Sequence, residues 1–318
     1  MKLVTIDSVR GGAPGALLAS GEVLHLGKAA RAEGLEAWLP STMRALLAGG
    51  VEGANVVRRI LSRVDSASED EKCALRARGI ITDARTPCLA PVPDPSLILA
   101  AGLSYRSHLR EMHGTPAPPH PTAFLKAPSS VAAPESSLRL PPQAPNCVDF
   151  EGELACIFDR PCHHVSREDA LSYVAGYTAA NDISARDWVG GVWSATEPWP
   201  ARLSWEVNIM GKQMPGFTPL GPVLTTADEI PDPRDLQLVT RVNGVIMQSA
   251  PVSDLLFELA EMIAHFSHWY TFQPGDVLLT GTPAGVGVGR TPRAFLRAGD
   301  IVEVEISQIG ILRTHIAA

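Results

Sequence analysis

The sequence predicts an α+β fold, mainly β, in which a small N-terminal α+β domain precedes a larger β-rich one. Three observations carry this. The second part of the chain is rich in short strand signals separated by Gly and Pro turns. Helical periodicity is confined to a few stretches, with no regular strand–helix alternation, so an alternating βαβ fold is not expected. Four prolines fall within 83–96, a run that suits neither a helix nor a central strand and marks a linker. The expected division is 1–82, the linker 83–96, and 97–318. With 318 residues, 45% of them hydrophobic, the chain can bury a sizeable core.

Taken in order, Lys2–Asp7, Gly15–Ala19 and Glu22–Leu26 read as strands, with Gly21 turning the second into the third. Leu35–Leu47 and Asn55–Val64 read as helices, followed by a polar stretch, 65–72. Leu97–Ala101 reads as a strand ending at Gly102, Ser107–His113 as one or two helical turns, and Thr115–Pro121 as a proline-rich loop. Glu168–Ala175 reads as a helix, with Ser166 as N-cap and Asp169 completing a partial capping box. Tyr177–Asn181 is a strand. Asp254–Trp269 is a helix whose Leu255, Leu256, Leu259, Met262, Ile263 and Phe266 share one broad face. Val277–Leu279 and Ile301–Ile306 are strands.

The formal net charge of −7 argues against a nucleic-acid partner. No apolar run is long enough to span a membrane, and Asp7 and Arg10 interrupt any signal-peptide core, so a cytoplasmic location is expected. The five cysteines are odd in number and show no C-x-x-C spacing, which suggests neither a disulfide framework nor a zinc site. Cys162-His163-His164 reads as a surface turn, with soft-metal binding as the weaker alternative.

Chemistry concentrates in Val148-Asp149-Phe150-Glu151-Gly152-Glu153-Leu154-Ala155. In a strand, residues two apart share a face, so Glu151 and Glu153 lie side by side in an apolar segment. Like charges that close need a shared proton or a cation. Asp182, at the end of the next strand signal, adds a third carboxylate, a set suited to Mg²⁺ or Mn²⁺. The alternative is an exposed edge strand and a turn cap. His108 and Glu111 are three apart and share a face on a helix. A carboxylate on one imidazole nitrogen raises the basicity of the other and fixes the tautomer. A solvated surface pair is the alternative. Thr280–Gly289 is a glycine-rich loop without the Lys-Ser/Thr ending of a phosphate loop. Its backbone N–H groups and the Thr282 hydroxyl suit a carboxylate, unless it is simply a tight turn.

Together these segments resemble the fumarylacetoacetate hydrolase family. The matches are GLSYRSHLREM (102–112), FLKAPSS (124–130), VDFEGELA (148–155), YTAANDISARD (177–187), GKQMPGFTPLGP (211–222), VNGVIMQ (242–248), PGDVLLTGTPAGVG (274–287) and GDIVEVEI (299–306). Residues 1–82 are similar to the small N-terminal domain of many bacterial members. The resemblance implies a mixed β-sandwich roll for the larger domain. It implies Glu151, Glu153 and Asp182 as ligands of Mg²⁺, or of Mn²⁺ or Ca²⁺. It implies His108 and Glu111 as the water-activating dyad, with Lys212 beside the metal. Lys126, Arg186 and Thr282 are implied as substrate-binding. Family substrates are 2-oxo or 2,4-dioxo acids, and members of this kind serve the catabolism of aromatic compounds and usually pair as homodimers.

The expected reaction is cleavage of a C–C bond in a 2,4-dioxo acid of the acylpyruvate type, giving pyruvate and a second carboxylic acid. The alternative is an isomerase, decarboxylase or hydratase acting on a 2-oxo-alkenedioate through a metal enolate. A further alternative is a 2-oxo-acid-binding protein without catalysis. The chain departs from the family pattern in three places. Ala101 stands where larger members carry a fourth metal acid. The glutamine usual after Ser-Ala-Arg-Asp is absent, which counts against oxaloacetate decarboxylation. The segment from Trp188 to Met214 is longer and tryptophan-rich, and reads either as a pocket wall or as an interface or packing insert.

Overall fold

The chain is described by a computed structural model over residues 1–8, 11–112, 115–187 and 197–317. Its largest sheet has twelve strands. Gly152–Phe158 and Val174–Asn181 lie near the middle and pair antiparallel, from Gly152 opposite Asn181 to Phe158 opposite Val174. Beyond Val174–Asn181 comes Thr218–Thr226, then the N-terminal strands Lys2–Ile6, Ala13–Leu17 and Val23–His25. Beyond Gly152–Phe158 come Val277–Leu279, Ile98–Gly102 and Thr122–Lys126. Val131–Ala132 follows closely and pairs in parallel with Thr218–Pro219. The chain at the sheet's edge is thereby carried back toward its middle, and the sheet rolls.

A second sheet of five strands packs on the first, in the order Val245–Pro251, Gln237–Val242, Ile301–Ile306, Gly310–Ala317 and Ser136–Arg139. Alternation along Gly152–Phe158 sorts the two cores. Leu154, Cys156 and Phe158 share one core with Leu238, Val304, Ile306 and Leu312 of the second sheet. Ala155 and Ile157 share the other with Leu46, Val57 and Ile60 of helices Met43–Ala48 and Gly50–Asp65. Being buried on both faces, the strand is apolar throughout except at its start. This is the mixed, mainly β sandwich and roll that the sequence predicts. The sheet runs unbroken into the N-terminal residues, because Lys2 and Leu3 register with Thr225 and Leu224. The proline-rich segment also takes part, pairing Cys88–Leu89 with Thr5–Ile6.

Several helices differ from expectation. The helix expected over 35–47 is split by Pro40: a single 3₁₀ turn spans Glu36–Trp38, and Met43–Ala48 starts afresh with Thr42 accepting from the Ala45 N–H at 3.3 Å. Leu26, the expected end of a strand, instead opens the helix Leu26–Ala32. The polar stretch leads into a helix, Glu69–Ala77, started by a capping box in which Ser68 and Glu71 exchange hydrogen bonds. Ser166 accepts from the Asp169 N–H at 3.2 Å, but Asp169 answers only to the Ser166 hydroxyl, at 3.0 Å, and the pair precedes no more than a 3₁₀ turn at Ala170–Tyr173. Burial of Val174 onward in the sheet claims the rest of that expected helix. Near the C-terminus the helix is Leu259–Ser267, since Leu255 bridges Tyr105 instead. Among the described residues no helix is long and apolar enough to cross a membrane.

Candidate active site

The acids sit where the two central strands meet. Glu151 and Glu153 flank Gly152, which faces the second sheet. A Cβ there would collide with the Thr240 side chain, so the acid-Gly-acid order follows from close packing of the sheets. Asp182 follows the partner strand, and its N–H bonds to the Glu151 carbonyl at 2.8 Å. All three acids are buried, and one oxygen from each lies within 4.8 Å of the others. They are not on an exposed edge strand.

Buried cations surround them. The Lys212 ammonium donates to Glu151 Oε2 at 2.6 Å, Asp182 Oδ2 at 2.7 Å and Ser184 Oγ at 2.7 Å. Lys126 donates to Asp182 and to the Lys212 and Phe217 carbonyls, the last two at 2.7 and 3.4 Å. Each lysine thus spends its three N–H donors on the protein. Arg186 reaches Glu151, Asp149 Oδ2 at 3.3 Å and Asn208 Oδ1 at 3.4 Å.

The electrostatics separate the two glutamates. Burial works against charge on Glu151, but Lys212 and Arg186 overcome it and hold the carboxyl well below the ordinary range. Burial, reinforced by Asp182 and Glu151, pushes Glu153 well above it. Burial likewise opposes charge on both lysines. Lys212, facing two carboxylates, ends above its usual value, whereas Lys126 ends below. Asp149, Glu151, Glu153 and Asp182 are four buried acids against three buried bases, Lys126, Lys212 and Arg186. A divalent cation would hold Glu153 ionised and leave one positive charge in excess for an anion. The donor set fits a hard cation: oxygens only, close together, one of them short of a positive partner.

The glycine-rich loop serves the protein's own carboxylates. Gly281 N–H donates to Glu153 Oε2 at 2.7 Å, Gly285 N–H to Glu111 Oε1 at 2.9 Å, and Gly287 N–H to Asp149 Oδ1 at 2.6 Å. Gly281 and Gly285 have φ of +84° and +108°, and a Cβ would strike the Ser104 side chain and the Met247 carbonyl respectively. Thr282 accepts from Gln248 Nε2 at 2.7 Å and donates to the Gly152 carbonyl at 2.9 Å.

His108 and Glu111 lie on the short helix Arg106–Glu111. His108 Nδ1 meets Glu111 Oε2 at 3.0 Å, and the side chains are only 12% and 13% exposed. This is not a solvated surface pair. With Glu111 bonded at both oxygens, the proton on His108 is assigned to Nδ1 and the Nε2 lone pair is left to act. His108 lies close enough to Glu151 that its protonated form would favour the Glu151 carboxylate.

Every site residue named from the sequence therefore gathers around this one centre. Two further residues were missed. Asp149 is buried and bonded to Arg186 and to the Gly287 and Val288 N–H groups. It continues the same-face spacing of Glu151 and Glu153, a signal that was available. Gln248 accepts from the Gly152 N–H at 3.0 Å and so ties the Glu151–Glu153 backbone to Thr282. Nothing local in the sequence marks it. In the tryptophan-rich segment, 188–196 lies outside the described residues. Its remainder forms the helix Pro198–Met210, which carries Asn208 to Arg186 and leads into Lys212, while Trp199 is 69% exposed.

Comparison with known proteins places this geometry. The fumarylacetoacetate (FAA) hydrolase C-terminal family matches residues 97–317. Human mitochondrial oxaloacetate tautomerase FAHD2A is 37% identical over 274 residues, covering 86% of this chain and 79% of its own. The fumarylacetoacetate hydrolase of Exiguobacterium antarcticum superposes with a TM-score of 0.76 at 28% identity, covering 100% of this chain and 99% of its own. The maleylpyruvate hydrolase of Sphingobium sp. SYK-6, solved with manganese(II) and pyruvate, has a TM-score of 0.69 at 27% identity, with 100% and 99% covered. These relatives are enzymes, and the chain belongs to the fumarylacetoacetate hydrolase family.

Proposed function

We propose that this chain is a keto–enol tautomerase of a 2-oxo dicarboxylic acid, working with a divalent cation of the Mg²⁺ or Mn²⁺ class. The observation that carries the reading is the part-buried His108–Glu111 pair, anchored by Gly285 next to the acidic triad. The name of the human relative supports the substrate class, and the manganese in the Sphingobium structure supports the cation.

Glu151, Glu153 and Asp182 would hold the cation, which when bound polarises the 2-oxo group of the substrate. The chain's own residues do the rest. His108 Nε2 takes a proton from the carbon beside the carbonyl, or returns it from the other tautomer. Glu111 stabilises the imidazolium through Nδ1. Lys212 and Arg186 contribute fixed positive charge where the oxyanion develops. Asp149 and Gln248 hold the loop and strand that set these positions.

A second reading, C–C hydrolysis of a 2,4-dioxo acid, is supported by the likeness to the Sphingobium maleylpyruvate hydrolase along the whole chain. There His108 would take its proton from water instead. Hydroxide would add to the C4 carbonyl, and the C3–C4 bond would break to pyruvate and a second acid.

One experiment separates the two. Loss of enol oxaloacetate and release of pyruvate from an acylpyruvate are followed in parallel with Mg²⁺, using wild type and His108→Ala. Tautomerisation that depends on His108, with no pyruvate, is the expected result. Pyruvate release without tautomerisation would establish the second reading in its place.

A further inference from the structure

The helix Arg106–Glu111, which carries His108 and Glu111, has no cap of its own. Its N-cap position is Tyr105, whose side chain makes no capping bond, where Ser, Thr, Asp or Asn is the usual choice. Six residues are also far fewer than the ~12–15 that an isolated helix needs in water. The place of this helix is therefore set by what the rest of the chain gives to its first turn.

Those contacts come from 252–256. Asp254, 147 residues beyond Ser107, accepts the Ser107 N–H on Oδ2 at 2.9 Å. Leu256 N–H donates to the Ser104 carbonyl at 2.6 Å, and Leu255 bridges Tyr105. The Arg106 guanidinium donates to the Leu255 carbonyl and, at 3.2 Å, to that of Leu256. The segment is itself anchored. Val252–Asp254 is a 3₁₀ turn, the Val252 N–H donates to the Leu236 carbonyl at 2.9 Å, and Val252 and Leu255 are buried in the core shared with the second sheet. Asp254 is half-buried, and among the described residues its carboxylate makes no other hydrogen bond and no ion pair.

From this we propose that Asp254 is a positioning residue for proton transfer by His108, an inference that rests on the role given to His108 above. Asp254 acts through Ser107. Its bond fixes the first turn, and the turn places His108, the next residue, over the triad. The other end of the helix is received by the glycine-rich loop, through Gly285 N–H on Glu111 Oε1 at 2.9 Å, and Ala284 N–H meets Ser107 Oγ at 3.3 Å. Without Asp254 the Ser107 N–H is left to water and the first turn frays. A displacement of about 1 Å at a reacting group costs about 10²-fold in rate. Asp254 is bonded to none of Glu151, Glu153 and Asp182, so the cation's ligands are left as they are.

Asp254→Ala and Asp254→Asn test the inference, since asparagine keeps an oxygen acceptor and caps as well as aspartate. Three quantities are read on the full chain: turnover of enol oxaloacetate and of an acylpyruvate with Mg²⁺, Mg²⁺ affinity by calorimetry, and amide hydrogen exchange over 105–112 against that of Gly152–Phe158. Asp254→Ala is expected to lower kcat about 10–100-fold at wild-type Mg²⁺ affinity. It is expected to speed exchange over 105–112 about tenfold or more, with Gly152–Phe158 unchanged. Asp254→Asn is expected to bring both to within about threefold of wild type. Wild-type exchange over 105–112 in Asp254→Ala, or an asparagine variant as impaired as the alanine one, would overturn the inference. So would faster exchange that extends to Gly152–Phe158, or a loss of Mg²⁺ affinity, since either makes Asp254 a support of the whole fold. Turnover of neither substrate by wild type would count against the proposed function, and exchange alone would then decide the inference.

Discussion

The acidic triad and the His108–Glu111 pair lie at one centre and are held in different ways. Glu151, Glu153 and Asp182 come from the ends of two central strands and sit among buried lysines and an arginine whose donors are bonded to the protein. His108 and Glu111 stand on a helix of six residues, tied to neighbouring loops by the Arg106 guanidinium on the Leu255 and Leu256 carbonyls, by Ser107 N–H to Asp254 Oδ2 at 2.9 Å, by Ala284 N–H to Ser107 Oγ at 3.3 Å, and by Gly285 N–H to Glu111 Oε1 at 2.9 Å. The proposed function accounts for the difference. A cation needs fixed oxygens before it arrives, and the sheet provides them. A group that exchanges protons with a substrate must be reachable, so it sits on a light element above the rigid floor.

The largest expected effect is on the rigid side. Glu153→Ala should abolish activity and lower Mg²⁺ affinity by more than the roughly 10–100-fold that loss of a supporting residue costs, as read by calorimetry and turnover. On the light side, His108→Ala should lower kcat by about 10²–10⁴-fold while leaving the Mg²⁺ affinity of wild type. If Mg²⁺ binding fell as well, the division between the two regions would fail.

Gln248→Leu should cost about 10–100-fold in Mg²⁺ affinity, because it frees the Gly152 N–H and Thr282 that fix the spacing of the two glutamates. A change confined to kcat would instead place Gln248 with the dyad. The smallest effect is on stability. Glu153 is raised by burial, Asp182 and Glu151, so the metal-free fold keeps a proton that the unfolded chain releases above the ordinary value of 4.5. This contribution is fully present below 4.5 and is lost as pH rises toward the folded-state value. Melting in EDTA should therefore fall with rising pH over that window more than melting in Mg²⁺, and Glu153→Gln should remove the difference.

What the sequence makes legible tracks how local each signal is. Same-face spacing shows Glu151 with Glu153, and the i,i+3 spacing shows His108 with Glu111, because both depend only on the period of the element. β-Rich composition likewise shows Val277–Leu279 and Ile301–Ile306, which the structure reproduces. Gln248 stays hidden because its partners, Gly152 and Thr282, lie on other elements. The helix read at 168–175 fails for the related reason that its cap is local while the sheet that claims Val174 is not. The roll that carries Lys126 to Asp182 is a long-range pairing of the same kind, and the family resemblance, rather than any spacing, brings Lys126 to the site.

In the proposed reaction His108 moves a proton to and from carbon on a substrate held beside the triad. Ketonisation of enol oxaloacetate in D₂O, trapped by rapid reduction and read by NMR, tests it most directly. Delivery from one fixed imidazole predicts deuterium at a single diastereotopic position of C3, with the stereochemistry lost in His108→Ala. Equal labelling of both positions by the wild-type enzyme would contradict it.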